Sequence, residues 1–205
     1  MDLIELLRGK LDTNFIQQLS QDIDEKDPEQ TEAAASGIIS TLIAGLSNNV
    51  AQPGGDTALV SAIERDHDGS ILDDLGGFIF GNKDVGNPKT LNGAGILDHI
   101  FGGKKSKVQD MVGNATGMDK SKIMKLMITL APLVLAAIGK AKNRQQSQGS
   151  QGGFNVRDLL SGTVQAQNSQ GNDIGILERF LDKDGDGSVM DDIANMGMKA
   201  FLNRR

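Results

Sequence analysis

The feature that most constrains the fold is a continuous apolar run, Leu126–Ile138, in which no position is charged. Such a run has no polar face to offer to water, so it must be surrounded by protein or by lipid. A membrane span needs roughly 20 apolar residues, and this run is shorter, contains Pro132 and is flanked by Lys125 and Lys140. We therefore predict a buried, kinked central helix over Lys120–Lys142 and no membrane span.

The remaining periodicity is helical too, so the predicted fold class is all-α, a multihelical array of longer and shorter helices. Apolar positions recur at helical spacing over residues 1–24. Asp27-Pro28-Glu29 has the order of an N-cap, a first-position proline and a first-turn acid, and predicts a helix to about Ser47. A loop is predicted over 48–56, and shorter helices are predicted over 58–63, 96–101, 108–115 and 156–164.

A twelve-residue acidic segment occurs twice, as Glu64–Leu75 and as Asp182–Ile193. Acidic residues at alternate positions, followed by a glycine, are how a chain wraps oxygen ligands around calcium. We predict calcium of modest affinity in the C-terminal copy, because its closing position holds Ile193 instead of a bidentate Glu. The candidate ligands of this copy are Asp182, Asp184, Asp186, Ser188, Asp191 and Asp192.

The N-terminal copy is a weaker candidate metal site, because it begins with the longer Glu64 instead of an Asp. The alternative is that the acids and a helix cap at Ser70 only hold a corner between two helices, without an ion. The same alternative applies to the C-terminal copy. His67 lies between ligand positions and is expected to face solvent. The candidate ligands here are Glu64, Asp66, Asp68, Ser70, Asp73 and Asp74.

Charge is distributed unevenly along the chain. Between Gly102 and Arg144 there are nine Lys and Arg and two acids, which gives a net charge of +7. Because the net charge of the whole chain is −6, the remaining residues carry a net charge of −13. A basic middle can bind polyanions or pair with acids of its own chain. The alternative function is therefore a nucleic-acid-associated module, although the segment lacks interleaved aromatics for stacking on bases. Its cations are Lys104, Lys105, Lys107, Lys120, Lys122, Lys125, Lys140, Lys142 and Arg144.

Residues suited to catalysis are sparse. The chain has no Cys and two His, and it has no Gly-rich phosphate loop. Without Cys, a disulfide framework and thiolate chemistry are excluded. The acid pairs Asp73/Asp74 and Asp191/Asp192 are adjacent in sequence, and adjacent residues on a helix do not share a face. His99 is expected on the surface, and we predict no catalytic residue and no enzymatic activity.

Three motifs, in this order, resemble a known bacterial family. Asp66–Leu75, Gly95–Gly102 and Leu130–Val134 are similar to motifs of the YidB-like family, a domain of unknown function catalogued as number 937. The resemblance covers roughly residues 1–142 and implies a multihelical bacterial protein. It implies no activity, since none is established for the family. Phe180–Ile193 is similar to the tail of longer members.

These patterns predict three segments. They are a helical domain over 1–142, a polar low-complexity linker with a short helical fragment over 143–172, and an EF-hand-like calcium-loop unit over 173–205. The N-terminus has acids where a signal peptide needs a basic segment, so a cytoplasmic location is expected. We interpret the sequence as a non-enzymatic binding protein that engages a protein partner or a second copy of itself.

Overall fold

The computed structural model describes residues 3–73, 75, 77, 92–147 and 154–169, and every regular element in these ranges is helical. The all-α prediction is confirmed. Short 3₁₀ helices cover Ser70–Asp73 and Gly102–Lys104. The predicted C-terminal helix–acidic loop–helix unit lies outside the described residues. The α-helices are α1 (Leu3–Arg8), α2 (Thr13–Asp22), α3 (Pro28–Ala51), α4 (Gly55–Asp66), α5 (Gly93–Phe101), α6 (Lys105–Thr116), α7 (Lys120–Ser147) and α8 (Val156–Ser169).

Two long helices, α3 and α7, lie at the centre of the core, and the shorter helices pack around them. α7 contacts α1, α4, α5 and α6 as well as α3, whereas α8 packs along α3. Every residue of the apolar run Leu126–Ile138 is buried except Ile128 and Thr129, which are half-buried. The predicted buried central helix is therefore confirmed, and its length and burial on all sides make it the support for the surrounding elements.

Two of the described helices, α3 and α7, are long and apolar enough to cross a membrane by length and composition alone. In this fold, 61% of the apolar window of α3 and 72% of that of α7 are buried. The core helix of a soluble protein passes the same test, so the finding is weak evidence for a membrane. The absence of a membrane span stays a prediction.

Capping side chains set where the long helices begin. At the start of α3, Asp27 accepts a hydrogen bond from the Glu29 N–H at 3.0 Å, and Pro28 is the first helical residue. At the start of α7, Asp119 accepts from the Ser121 N–H at 2.7 Å, and hydrogen bonds from Ser121 lower the pKa of Asp119. Such bonds satisfy amide groups that have no partner within the helix. Both predicted starts are confirmed.

The helical periodicity over 1–24 corresponds to two helices, α1 and α2, because Asp12 caps α2 by accepting from the Phe15 N–H at 2.8 Å. One predicted boundary is wrong. The helix predicted to end near Ser47 continues to Ala51. Its additional turn contains Val50, which is fully buried in the core, so burial of this side chain extends the helix into the predicted loop.

Helices also extend into the predicted polar linker. α7 continues to Ser147, and α8 is longer than the fragment predicted over 156–164. Val156, Leu160 and Val164 of α8 are buried, and the helix contacts α1, α3 and α4. Residues beyond 142 therefore contribute to the core. The division into three segments stays a prediction, since residues 173–205 lie outside the described part of the chain.

Candidate functional site

One of the two acidic copies lies in the described part of the chain. We call Glu64–Leu75 the first acidic loop and Asp182–Ile193 the second acidic loop. Of the candidate ligands of the first loop, all but Asp74 are described. The whole candidate set of the second loop lies outside the described residues, namely Asp182, Asp184, Asp186, Ser188, Asp191 and Asp192.

The first acidic loop includes the end of α4, a tight turn over residues 67–69, and the 3₁₀ helix Ser70–Asp73. Gly69 has a φ of +96°, a conformation that glycine adopts without the steric cost of a Cβ. Asp68 Oδ1 accepts a hydrogen bond from the Ser70 N–H at 2.9 Å, and hydrogen bonds from Ser70 lower the pKa of Asp68. The predicted cap at Ser70 is wrong, because Ser70 is already the first residue of the 3₁₀ helix and Asp68 supplies the capping carboxylate.

The turn lies directly against α7, at a point where both segments carry glycine. A Cβ at Gly139 would lie 2.0 Å from the carbonyl oxygen of His67. A Cβ at Gly69 would lie 2.9 Å from Lys140 Cβ and 3.0 Å from the carbonyl oxygen of Ala136. These separations are shorter than contacts between non-bonded atoms allow. The close approach of the turn to α7 therefore requires glycine on both sides.

Two lysines of α7 hold the two ends of the first acidic loop. Lys142 Nζ lies 2.6 Å from the Glu64 carboxylate, and Lys140 Nζ pairs with the carboxylate of Asp73. Lys142 is only 8% exposed, so Glu64 supplies the anion that compensates an ammonium group withdrawn from water. Gly139 was not predicted as a site residue, and Lys142 was considered only among the cations for polyanion binding. The one sequence signal for them is their position directly after the apolar run.

The described acids of this loop engage separate partners instead of one centre. Asp66 lies 2.8 Å from Arg65 Nε, Asp68 caps the 3₁₀ helix, and Glu64 and Asp73 pair with different lysines. Among the residues that the structure describes, no group of three or more His, Asp or Glu could hold a metal ion. The geometry is that of a helix corner, and calcium binding by this loop stays a prediction.

His67 is 4% exposed, so the expectation that it faces solvent is wrong. The turn packs against α7 at this residue, as the contact between its carbonyl oxygen and Gly139 shows, and this packing withdraws it from water. Its Nδ1 is buried and has no hydrogen-bond partner in the described part of the chain. Burial lowers the pKa of His67, and the Asp66 carboxylate offsets part of that effect. The fold therefore favours the neutral imidazole.

An open cavity of about 460 Å³ lies beside the turn, between the first acidic loop and the C-terminal end of α7. Its walls include Asp73 and Lys140, which pair with each other, together with Arg144 and Asn143. The Asn143 side chain donates a hydrogen bond to the backbone carbonyl of the turn at 3.0 Å. The loop contributes Asp68 and Asp73 to the lining and α7 contributes Lys140 and Arg144, so the cavity carries charges of both signs.

The basic segment 102–144 makes several ion pairs within the chain. Lys122 Nζ lies 3.0 Å from the Glu25 carboxylate, and this hydrogen bond, with others from the backbone, lowers the pKa of Glu25. In the described part of the chain, at least five of the nine cations considered for polyanion binding are paired with acids of the same chain. Such pairing is the alternative that the charge distribution left open. The other four pairs are Lys105–Asp98, Lys120–Asp110, Lys140–Asp73 and Lys142–Glu64.

Comparison with known proteins identifies a family and gives no activity. A family model described as "Bacterial protein of unknown function (DUF937)" matches residues 5–141. No curated protein and no solved structure matches the chain. The matched range includes the first acidic loop and the contact between its turn and α7. The chain therefore belongs to the DUF937 family of bacterial proteins of unknown function, with which the resemblance to YidB-like proteins is consistent.

Proposed function

We propose that the protein is a non-enzymatic, cytoplasmic helical binding protein whose second acidic loop binds calcium. The bound ion orders the C-terminal tail, residues 173–205, against the helical domain. The observation that carries the proposal is the order of residues over 182–188, which supplies carboxylates at alternate positions before the glycine of a sharp turn. Calcium is favoured over magnesium because many oxygens come from one short segment.

A comparison of the two loops supports different roles for them. The first position of the first loop is Glu64, whose carboxylate compensates the buried Lys142. Its fourth position is His67, which is buried in the contact with α7. The second loop has Asp182 and Gly185 at these positions. Asp is the shorter acid that the calcium pattern uses, and Gly adds no side chain, so the sequence of the second loop fits ion binding better.

The charge of the second loop also supports an ion. It contains five acids and one base, Lys183. Two carboxylates at 4 Å repel each other by about 1 kcal/mol even in water, and by more where water is partly excluded. A turn between helices needs only one or two acids. A bound divalent cation would reduce the repulsion among these carboxylates. In an acidic turn without an ion, the same repulsion would destabilise the turn.

A binding role agrees better with the described residues than catalysis or polyanion recognition does. Many cations of the basic segment are paired with acids of the same chain, and this reduces the charge available to a nucleic-acid backbone. The buried His67 is withdrawn from any substrate in solution. The partner is a protein or a second copy of this chain.

Calorimetric titration of the whole chain with calcium tests the proposal. The wild type is expected to bind, and Asp184→Asn/Asp186→Asn is expected to lose the binding heat, because two candidate ligands lose their charge. The matched control is Asp66→Asn/Asp68→Asn, which makes the same change at the same register of the first loop. Because Asn is as good a cap as Asp, this control is expected to keep its fold and its calcium binding.

Tail ordering has its own readout, the rate at which a protease cleaves within residues 173–205 in calcium and in chelator. Calcium is expected to slow cleavage of the wild type and to leave the rate in Asp184→Asn/Asp186→Asn unchanged. A wild type that binds no calcium at millimolar concentration would refute the calcium site. Loss of binding only in the first-loop variant would move the site to Glu64–Leu75, and binding without protection would refute the ordering of the tail.

A further inference from the structure

The residues Asn92 and Gly93 combine a reactive sequence with a close contact between helices. They form the one Asn-Gly pair in the sequence. Asn is a thermolabile residue, because the backbone nitrogen of the next residue can attack its carboxamide within the same chain. Glycine at the next position favours this attack, since it has no Cβ to obstruct the nitrogen. The sequence therefore makes Asn92 the Asn most prone to deamidation, and the fold decides whether it reacts.

The fold uses Asn92 as the N-cap of α5, where the residue is exposed to solvent. Its Oδ1 accepts a hydrogen bond from the Gly95 N–H at 3.0 Å, and its backbone carbonyl accepts from the Ile96 N–H at 3.0 Å. These bonds satisfy two amide groups of the first turn of the helix. The carboxamide of Asn92 is therefore accessible to water but fixed in orientation.

The backbone torsion of Asn92 separates the two reacting atoms. Its ψ is 62°, which in an L-residue places the Gly93 nitrogen on the opposite side of the Cα–C bond from Cβ. Ring closure needs that nitrogen on the same side as Cβ, where it can reach Cγ. The peptide between Asn92 and Gly93 must therefore rotate by roughly half a turn about ψ, one of the two soft torsions of the backbone.

α7 prevents this rotation. Gly93 is buried, and a Cβ on it would lie 1.9 Å from the carbonyl oxygen of Ile128. This separation is far shorter than a non-bonded contact, so the backbone of Gly93 has no space in which to move towards α7. Rotation in the other direction carries α5 away from α7 and breaks the bonds to Gly95 and Ile96. The reactive geometry therefore requires the first turn of α5 to separate from α7.

We propose that Asn92–Gly93 is a site of spontaneous deamidation that reacts only in chains whose α5 has opened at its first turn. The Gly93 nitrogen gives its proton to solvent base and attacks Asn92 Cγ. The new bond replaces the bond from Cγ to Nδ2, and Nδ2 leaves as ammonia with a proton from solvent. Water then opens the succinimide at one of its two carbonyls, giving Asp or isoaspartate. This inference is independent of calcium binding.

The two products have opposite effects on the start of α5. Asp keeps an acceptor for the Gly95 N–H and adds a negative charge at the N-terminus of a helix, which is stabilising. Isoaspartate leads the main chain through the side-chain carbon and so adds one backbone atom before Gly93. That extra atom displaces Gly93 from its close contact with Ile128. Opening of α5 is therefore recorded by a covalent change that prevents normal closure.

Mass spectrometry of the whole chain, aged at mildly alkaline pH and then digested with trypsin, measures the reaction. The peptide from Thr90 to Lys104 contains Asn92 as its one Asn. Its deamidation is expected to be at least about tenfold slower in native buffer than in guanidinium chloride, because only the opened population reacts. Equal rates in the two solvents, or no reaction in denaturant, would overturn the inference. Asn92→Ser keeps a capping side chain without a carboxamide, and its peptide is expected to gain no mass.

Two matched variants distinguish opening of α5 from unfolding of the whole chain. Leu97→Ala removes a fully buried side chain from α5, and Leu160→Ala removes one from α8, which packs on α1, α3 and α4. Leu97→Ala is expected to raise the rate in native buffer by about tenfold or more, and Leu160→Ala by much less, because each cavity weakens its own helix most. Leu97→Val replaces Leu97→Ala if circular dichroism shows that the latter does not fold. Equal acceleration by the α5 and α8 variants, or none by either, would overturn the inference.

Discussion

Replacement of Gly139 by Ala tests whether the first acidic loop is held by the backbone contact described above. A Cβ at this position would lie 2.0 Å from the carbonyl oxygen of His67. Normal contact requires the turn to move by more than about 1 Å. The opposing atom belongs to the backbone, so a side-chain rotation cannot relieve the clash.

The expected loss of stability follows from three contributions. Ala gains about 1 kcal/mol over Gly within a helix, whereas an extra methyl in a well-packed contact costs about 1–3 kcal/mol. Movement of the turn also exposes part of Ile71 and Leu72, and complete exposure of two such side chains would cost about 3–6 kcal/mol. We expect a net loss of about 2 kcal/mol, which for a chain of this size lowers Tm by roughly 4–8 °C.

Urea and thermal unfolding, followed by circular dichroism, measure this difference. Gly37→Ala is the matched control, because Gly37 lies inside α3 and a Cβ there would meet no described atom within 4 Å. The control is expected to be more stable than the wild type by about 0.5–1 kcal/mol. If Gly139→Ala were stabilised to the same extent as Gly37→Ala, the close contact between the turn and α7 would not exist in solution.

Two further predictions concern the same contact. Glu64→Gln is expected to cost about 1 kcal/mol of unfolding free energy, because it removes the carboxylate beside the buried Lys142. Lys142→Met, which removes the buried charge itself, is expected to be neutral or stabilising, and equal losses in both variants would contradict this reasoning. Burial lowers the pKa of His67 in the folded chain. Just below the ordinary His pKa of about 6.5, this imidazole is therefore protonated in the unfolded chain and neutral in the folded chain. Stability should therefore fall as pH drops below that value, and His67→Gln should remove this part of the slope in urea titrations at each pH.

The elements that the sequence predicted correctly depend on interactions between near neighbours. The caps at Asp27 and Asp119 join residues two positions apart, and both helix starts are where the sequence indicates. The burial of Leu126–Ile138 follows from composition alone, since a run without a polar face must be enclosed. The twofold acidic pattern is likewise visible in the sequence without any fold.

Two of the errors concern residues that the tertiary packing buries. Val50 lies in a stretch that resembles a loop, yet it is buried in the core, and α3 continues through it. The position of His67 among acids indicates solvent, yet the packing of the turn on α7 buries it. No local pattern reports the contact of His67 with Gly139, because these residues are about 70 positions apart in the sequence.

The sequence alone determined the helical class of this protein, the starts of its two central helices and the existence of two related acidic loops. The tertiary structure decided that the first loop is a helix corner bound to α7, with Glu64 and Asp73 paired to lysines and Gly139 in contact with its backbone. The physical reason is that capping and apolar periodicity act within one or two turns of a helix. By contrast, the partner of a buried charge or the space for a Cβ depends on which segment the fold brings alongside.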